Sequence, residues 1–304
     1  LSRDAATLAD LDRLHRHLMS YYDPAQGQMR WTLKGPDAGR RELVAQLDPL
    51  NAYMILVTPL LHGAQQARWQ ADMRTLVEAI ASHYCTASDA HCLGTLGVNS
   101  DKPGERHNDF GHSGKAYWMS LLAARQLGDK TLEVWARQRG EQILKQAYLE
   151  STGSWASRWR DQGLDEGKEW WIYAELGQLA TTLAFDDSAH ARYLGRTWDF
   201  WLKNFVNRNT HEVYGWVSGD ARANSGDLIQ HQWKNGYHSL EHALVSYLGA
   251  QALHGLPVTL YYALPKDSPA RLQPYVFAGN ELSREVEQRN GQQVLKVRFD
   301  LPRR

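Results

Sequence analysis

The spacing of apolar residues is the feature that most limits how this chain can fold. Apolar side chains recur with the 3.6-residue period of an α-helix through most of the sequence, and the alternation typical of strands begins only near its end. The period therefore predicts a mainly helical protein. Helices are expected near residues 5–21, 47–62, 66–84, 112–127, 129–147, 169–185, 187–205 and 238–253.

The connections between the predicted helices differ sharply in length. The very short ones lie at 63–65, 128 and 186. Connections of this kind produce antiparallel helical hairpins. The long ones are rich in Gly, Asp, Trp and Asn and lie at 22–46, 85–111, 148–168 and 206–237. Because long loops on a rigid scaffold are common places for a site, the pattern predicts a toroid of helical hairpins with its site at one end.

The sequence after residue 255 has a different pattern. Leu295, Val297 and Phe299 alternate with charged residues, and the stretch 258–264 is rich in branched and aromatic side chains, which predicts strands. Prolines punctuate this region, so we expect it to pack on the outside of the helical body. The predicted division is a helical domain over 1–255 and a β-strand extension over 256–304.

Composition excludes several classes of protein. The 304 residues contain 34 Lys and Arg against 34 Asp and Glu, and this zero net charge argues against a nucleic-acid partner or an acidic tail. A hydrophobic content of 43% excludes intrinsic disorder. The most apolar stretch, 52–61, is shorter than the roughly 20 residues that span a bilayer, so no membrane span is predicted. Trp and Tyr outnumber Phe by 26 to 6, which suits a carbohydrate site.

The two cysteines are the only sequence signal for the compartment. Cys85 and Cys92 have six residues between them and can close a small disulfide loop in an oxidising compartment. Together with His83 and His91 they offer four metal ligands, but this spacing matches no structural zinc pattern. A disulfide or free thiols are preferred over a metal. The first residues are charged where a signal peptide needs an apolar core, so any targeting segment is expected to have been removed, and a periplasmic or secreted location is favoured over the cytoplasm.

Three polar residues stand at regular intervals near the starts or inner faces of predicted helices. His112, Glu175 and His238 are 63 residues apart in each case. Equal offsets in a repeat of hairpins place side chains at equivalent positions, so the three are expected to converge on one cavity. Glu175 has Ile172 and Leu179 as helical neighbours, and a carboxylate beside an apolar wall needs a partner, for which a histidine is suited.

The same three residues lie in short motifs. These are Gly111-His112 followed by Trp118, the run Trp170–Glu175, and the run Trp233–His238. In type, order and spacing they resemble the motifs of the N-acylglucosamine 2-epimerase superfamily, which also contains cellobiose 2-epimerases and aldose–ketose isomerases acting on mannose and related sugars. The resemblance covers residues 10–255.

The resemblance implies an all-α fold, the (α/α)6 barrel, with His112, Glu175 and His238 in its central cavity. It implies that the two histidines act on an open-chain sugar without a cofactor or a metal, one removing the C2 proton and the other returning it through an enediolate. Imidazole suits this task because its ordinary pKa is about 6.5. Glu175 would orient a histidine or bind a hydroxyl. In an isomerase one histidine could open the sugar ring instead. The expected partner is a small sugar, and an oligomer is possible.

The chain departs from the family pattern at two positions beside the histidines. Lys115 stands where the family commonly carries Glu, and Glu241 stands where an arginine often follows the second histidine. Both are expected to contact the substrate. The family also stabilises the enediolate with an arginine several helices upstream, and that position would fall before Leu1. The eight predicted helices fall short of six hairpins, so we expect an N-terminal portion to be absent.

Aromatic and basic residues near the motifs are candidates for binding the sugar. Core packing is the expected role of Trp118 and Trp198. The residues expected to bind or stack against a sugar, because they adjoin the motifs or lie on long loops, are Trp171, Trp216, Trp233 and Lys234.

Three other functions fit parts of the sequence. The run His238–His242 matches the zinc pattern His-x-x-Glu-His, but no further ligand follows it. A glycoside or uronyl hydrolase would need two carboxylates roughly 5 to 9.5 Å apart. Its pair would be Glu175 with one of Asp109, Asp165 or Glu169. A catalytically silent carbohydrate-binding protein would explain the two departures and the missing arginine.

Overall fold

The computed structural model describes residues 5–97, 107–224, 226, 228–264 and 272–302. The α-helices in these ranges are α1 (Ala5–Met19), α2 (Leu43–Pro49), α3 (Ile55–Val57), α4 (Gly63–Ala79), α5 (Phe110–Leu127), α6 (Lys130–Ala147), α7 (Trp170–Ala184), α8 (Leu194–Phe200) and α9 (Tyr237–Leu253). Wider π turns and tighter 3-10 turns extend some of them, at Leu50–Met54, Thr58–Leu60, Ile80–Tyr84, Ser188–Tyr193 and Trp201–Phe205. The predicted helices match these segments, and the mainly helical fold class is confirmed.

Short connections produce hairpins, as in the pair α5 and α6. Gly128 ends α5 in the left-handed conformation, with φ of 66°, and Asp129 begins α6 by accepting a hydrogen bond from the backbone of Leu132 at 3.0 Å. Helix α5 packs against both α6 and α7, and α7 packs against α9. The three helices that carry the sequence motifs are therefore neighbours, with α7 between the other two.

The neighbouring helices approach one another closely at glycines. A Cβ atom at Gly111 of α5 would lie 2.9 Å from the backbone of Ile172 in α7, and one at Gly177 of α7 would lie 2.7 Å from the ring of His242 in α9. Helices α5 and α7 are buried along nearly their whole surface, which is typical of inner helices. Close contact and burial bring the polar residues of these helices into one region.

The long connections contain short antiparallel strand pairs that the sequence analysis did not predict. Arg158–Arg160 pairs with Gly163–Asp165, and Trp216–Val217 pairs with Lys168–Glu169 immediately before α7. Each strand has only two or three residues, too few for an alternating pattern to be recognised. These pairs fasten the loops that lead into the motif-bearing helices.

The predicted strands after residue 255 are confirmed. Gln292–Asp300 lies between Val258–Tyr262 and Asn280–Arg289 in an antiparallel sheet. The side chains that the alternation predicts to face inward are fully buried, and they pack with the C-terminal half of α9 and with Phe185. The division of the chain at residue 255 remains a prediction, and this shared core joins the sheet to the last helix.

One apolar segment is longer than predicted. The helical stretch Leu43–Leu60 is long and apolar enough to cross a membrane by length and composition, whereas the sequence analysis considered only 52–61. Of this stretch, 56% is buried inside the protein, and Leu43, Leu47 and Leu50 are fully buried. Burial of this kind is typical of a core helix.

The cysteine loop follows the end of the helical segment that contains α4. Cys85 and Cys92 are joined by a disulfide, one of the two states that the sequence left open, and both are buried. The bridge ties the loop beneath α5, where the backbone N–H of Cys92 donates a hydrogen bond to the Ser113 hydroxyl at 3.1 Å.

Candidate functional site

The first histidine is held by the residue that begins its helix. Asp109 caps α5 by accepting a hydrogen bond from the backbone N–H of His112 at 2.8 Å, and its other oxygen lies 2.7 Å from His112 Nδ1. Burial alone would raise the pKa of the Asp109 carboxyl, but the His112 ring and N–H outweigh burial, and the pKa lies below its usual value. A charged carboxylate at Nδ1 favours the tautomer with its hydrogen there, which leaves Nε2 free.

The carboxylate of Glu175 lies at the centre of the candidate site. It is buried on α7, where Oε2 accepts a hydrogen bond of 2.6 Å from the Trp118 indole and Oε1 lies 3.5 Å from His238 Nδ1. Burial raises the pKa of Glu175 to about 8, and the charge of Glu241 adds to this, although Lys115 opposes it. The histidine partner expected from the sequence is His238. Trp118 is in the core, as expected, and also contributes a hydrogen bond.

His238 stands in the first turn of α9 and is partly exposed. About 21% of its side chain is exposed. Burial, together with the charges of Lys115 and His112, lowers the pKa of the His238 imidazole to about 3, so the ring is neutral near pH 7. A neutral imidazole has a nitrogen that can accept a proton.

One indole lies beside both histidines. The Trp171 ring centroid is 4.6 Å from that of His112 and 6.3 Å from that of His238. Its Nε1 donates a hydrogen bond to Glu169 at 2.8 Å, and Glu169 also pairs with Arg158. The two imidazoles from α5 and α9 thus border the same aromatic surface.

Lys115 and Glu241 lie in the same buried region. The Lys115 ammonium donates a hydrogen bond of 3.1 Å to Asp48, and the charges of Glu175 and Glu241 also act on it. Burial alone would lower the pKa of Lys115, but these carboxylates outweigh it and the pKa is raised. Glu241 accepts a hydrogen bond from the Tyr275 hydroxyl, and burial raises the pKa of Glu241. Sequence reasoning missed Asp48 and Tyr275 because neither lies near a motif.

The remaining predicted sugar-binding residues lie outside this cluster. Trp216 is 38% exposed and lines a groove of about 480 Å³ with Trp170 and His231. Trp233 is 78% exposed. Lys234 is buried, and its ammonium donates to the backbone carbonyl of Ile229 and lies 5.7 Å from the Trp170 ring centroid. The structure thus groups Trp216 with the groove beside α7 rather than with the histidines.

The geometry also bears on the zinc pattern and on the hydrolase that the sequence suggested. His242, the second histidine of the zinc pattern, packs against Trp201 and has no hydrogen-bond partner among the described residues. Burial lowers its pKa to about 4. Two of the carboxylates proposed as hydrolase partners already have hydrogen-bond partners: Asp109 pairs with His112, and Asp165 accepts from Arg160. Glu241 was not considered as the second carboxylate of a hydrolase in the sequence analysis, and one of its oxygens lies within 4.8 Å of one from Glu175.

Known proteins match the chain by fold. No family model and no curated protein sequence matches it. Cellobiose 2-epimerase from Bacillus thermoamylovorans is 14% identical, with a TM-score of 0.69 over 83% of this chain and 67% of that chain. A D-mannose isomerase is 15% identical, with a TM-score of 0.63 over 78% and 65%. A family 76 glycoside hydrolase (mannosidase) from Bacteroides thetaiotaomicron is 13% identical, with a TM-score of 0.55 over 80% and 68%.

The extent of these matches differs among the known structures. The chain spans only 53% of the length of another cellobiose 2-epimerase, from Spirochaeta thermophila, to which it is 19% identical with a TM-score of 0.58 over 70% of this chain. At these identities the likeness concerns the fold. The fold that the three motifs implied is confirmed: the chain has an (α/α)6 fold, which it shares with cellobiose 2-epimerases, a D-mannose isomerase and a glycoside hydrolase.

Proposed function

We propose that the protein is a sugar epimerase or aldose–ketose isomerase that moves a proton at C2 of a free reducing sugar through an enediolate. The fold supports this class of substrate, because cellobiose 2-epimerases and a D-mannose isomerase share it. The proposed chemistry rests on the residues of the candidate site.

The observation that carries the proposal is that His112 and His238 are oriented in the same way. Each turns Nδ1 toward a buried carboxylate, that of Asp109 at 2.7 Å and that of Glu175 at 3.5 Å. A hydrogen on Nδ1 leaves Nε2 as the nitrogen through which each ring can take up or give up a proton. Two such rings beside one indole suit a reaction in which a proton leaves one face of a carbon and returns on the other.

In this mechanism His238 starts neutral and removes the C2 proton, whereas His112 starts as the imidazolium and gives a proton from Nε2 to the opposite face. Water then takes the proton from His238 and returns one to His112. The proton taken by His238 makes the ring an imidazolium, and the ionised Glu175 at Nδ1 offsets that charge. The carboxylate of Asp109 offsets the charge of the His112 imidazolium in the same way. An aldose–ketose isomerase would use one histidine at carbon and the other for ring opening, so the same arrangement serves either reaction.

The other members of the cluster would bind the sugar. The enediolate carries negative charge on an oxygen, and the Lys115 ammonium is the cation beside Glu175 and Glu241 that can stabilise it. Glu241 would accept a hydrogen bond from a hydroxyl. Trp171 offers an aromatic face between the histidines, and the proposed stacking residues of the outer groove are Trp216 and Trp233, with Lys234 beside them.

Exchange of the C2 hydrogen with deuterium tests the proposal. Mannose, glucose, N-acetylglucosamine and cellobiose are incubated in deuterium oxide with the protein and followed by proton NMR. His238→Asn should abolish exchange, because Asn keeps hydrogen-bonding capacity but cannot take the proton. His112→Asn should leave some exchange and stop inversion in an epimerase, and should slow ring opening in an isomerase. The control is His17→Asn, the same substitution at an exposed histidine of α1. Wild-type protein without exchange on any sugar would contradict the proposal.

A glycoside hydrolase is the second candidate, and one distance favours it. Carboxylate oxygens of Glu175 and Glu241 lie within 4.8 Å, near the roughly 5 to 5.5 Å between the two carboxyl groups of a retaining glycosidase. This function predicts cleavage of a mannoside or glucoside that is lost in both Glu175→Gln and Glu241→Gln and kept in His112→Asn. Cleavage with this dependence, without C2 exchange, would replace the first proposal. Sugar binding without turnover would favour the catalytically silent alternative.

A further inference from the structure

Three side chains of the site present the donor set of a metal centre. Glu175 on α7, and His238 and Glu241 one turn apart on α9, each bring one ligand atom to within 4.8 Å of the other two. One imidazole nitrogen and two carboxylate oxygens suit divalent transition ions such as Zn²⁺. Helices α7 and α9 pack directly against each other, so the scaffold keeps the three residues together.

The separation of two of these atoms leaves space for an ion between them, because it is longer than a formed hydrogen bond. Glu175 Oε1 and His238 Nδ1 are 3.5 Å apart, and both are buried atoms without a hydrogen-bond partner among the described residues. A direct hydrogen bond between such atoms is usually about 2.7–3.2 Å long. Zinc bonds of about 2.0–2.1 Å at a tetrahedral angle place neighbouring ligand atoms about 3.4 Å apart. A zinc ion can therefore contact both atoms with little movement, and Glu241 would complete the protein ligands by a small shift of its side chain.

The surroundings of the two carboxylates resemble those of metal ligands. The Trp118 indole donates a hydrogen bond of 2.6 Å to Glu175, and the Tyr275 hydroxyl donates one to Glu241. Hydrogen bonds of this kind orient metal ligands from outside the coordination sphere. About 21% of the His238 side chain is exposed, so solvent reaches the edge of the cluster although the ligand atoms themselves are buried.

The local charge also favours a cation. Three carboxyl groups, those of Glu175, Glu241 and Asp48, act on the ammonium of Lys115. Lys115 opposes an ion at the cluster, but its hydrogen bond to Asp48 holds its ammonium on that carboxylate. A divalent ion would displace the protons that burial favours on these carboxyl groups, because a metal ligand binds in its deprotonated form.

We propose that Glu175, His238 and Glu241 bind one divalent transition-metal ion of the zinc type, and that this ion inhibits proton transfer by His238. An ion on Nδ1 leaves the imidazole hydrogen on Nε2, so the nitrogen that would accept the C2 proton is no longer free. The ion and the proton transfer therefore exclude each other. The inhibition rests on the proposed function, whereas the binding site stands independently of it.

Calorimetric titration with zinc chloride tests the site directly. The full chain is first treated with a chelator and then titrated at pH 7.5, and one ion should bind per chain. Glu241→Gln and His238→Asn should each weaken zinc binding at least tenfold, because each removes a ligand. His112→Asn, which removes the other imidazole of the cavity, should leave the zinc affinity unchanged. Circular dichroism confirms that each variant is folded, and X-ray absorption of bound zinc should show one imidazole nitrogen.

These experiments test the metal site and the proposed reaction independently. No stoichiometric zinc binding, or equal affinity in wild type and both ligand variants, would overturn the proposed site. Saturating zinc should abolish C2 exchange and a chelator should restore it, and exchange that persists in saturating zinc would overturn the inhibition. Zinc binding with the expected variant pattern, in a protein that exchanges no sugar hydrogen, would support the site and count only against the proposed function.

Discussion

Asp109 holds His112 at two points at once, through the backbone N–H at 2.8 Å and through Nδ1 of the ring at 2.7 Å. The residue that caps α5 therefore also sets the orientation of the imidazole. Both oxygens of one buried carboxylate are used, so the geometry of the helix start and that of the side chain are coupled. His112 is three positions after Asp109, which is the ordinary spacing of an N-cap hydrogen bond.

Asp109→Asn separates these two roles. Asn also caps helices well, so stability should change by no more than about 1 kcal/mol. Its neutral side chain no longer fixes the Nδ1 hydrogen, so net inversion at C2 should fall by about 10- to 100-fold. The matched control is Asp129→Asn at the cap of α6, which should affect stability alone. Inversion is followed by NMR and stability by thermal unfolding, and equal inversion rates in the two variants would refute the orienting role.

The proposed carbon base should gain activity with rising pH. Burial raises the pKa of Glu175 to about 8. Below that pH the carboxyl holds a proton and cannot accept the Nδ1 hydrogen of His238, and above it the carboxylate can. C2 exchange should therefore rise through an apparent pKa of about 8, and Glu175→Gln should remove this step while lowering the rate. A flat wild-type profile between pH 6 and 9 would contradict the coupling.

The same carboxyl should make the protein less stable at high pH. The pKa of Glu175 is above its usual value of 4.5 in the folded state, so the folded state binds the proton more tightly. The free energy of unfolding should therefore fall as the pH rises from about 4.5 to about 8, by an amount on the order of a few kcal/mol. Urea unfolding at several pH values measures it. Glu175→Gln should show a smaller decrease than wild type, and an identical decrease would show that other groups dominate.

The C-terminal extension should influence the site through one hydroxyl. Tyr275 has a positive φ of 60°, rare for a bulky residue, and its hydroxyl donates to the buried Glu241. Tyr275→Phe removes that donor, which should cost about 1–3 kcal/mol of stability and shift the pH profile of C2 exchange.

A second tyrosine of the extension provides the control. The Tyr262 hydroxyl donates to the backbone carbonyl of Gln273 at 2.9 Å, outside the cluster. Tyr262→Phe should change stability without moving the pH profile. The two variants are compared by thermal unfolding and by NMR exchange at several pH values. Identical pH profiles in both would show that Tyr275 has only a structural role.

Local patterns in the sequence predict the helices and the places of the three central residues on them. Apolar periodicity is a local property, read within a few turns, and the burial of α5 and α7 follows from it. The equal spacing of His112, Glu175 and His238 placed them on α5, α7 and α9, which are neighbours in space. A disulfide between Cys85 and Cys92 could be considered from the sequence for the same reason, because the two residues are close in the chain.

Only the tertiary structure decided which groups surround these residues. Lys115 donates a hydrogen bond to Asp48, 67 positions away in the sequence, and Trp118 donates one to Glu175, 57 positions away. Tyr275, in a turn before the strand Asn280–Arg289, donates to Glu241 of α9 across 34 residues. Such pairs depend on how helices and strands dock, and no local pattern encodes the direction of a side chain across a packing interface. Burial then sets the charge state of Glu175 and His238, because removal of water from a carboxyl or an imidazole disfavours its charged form.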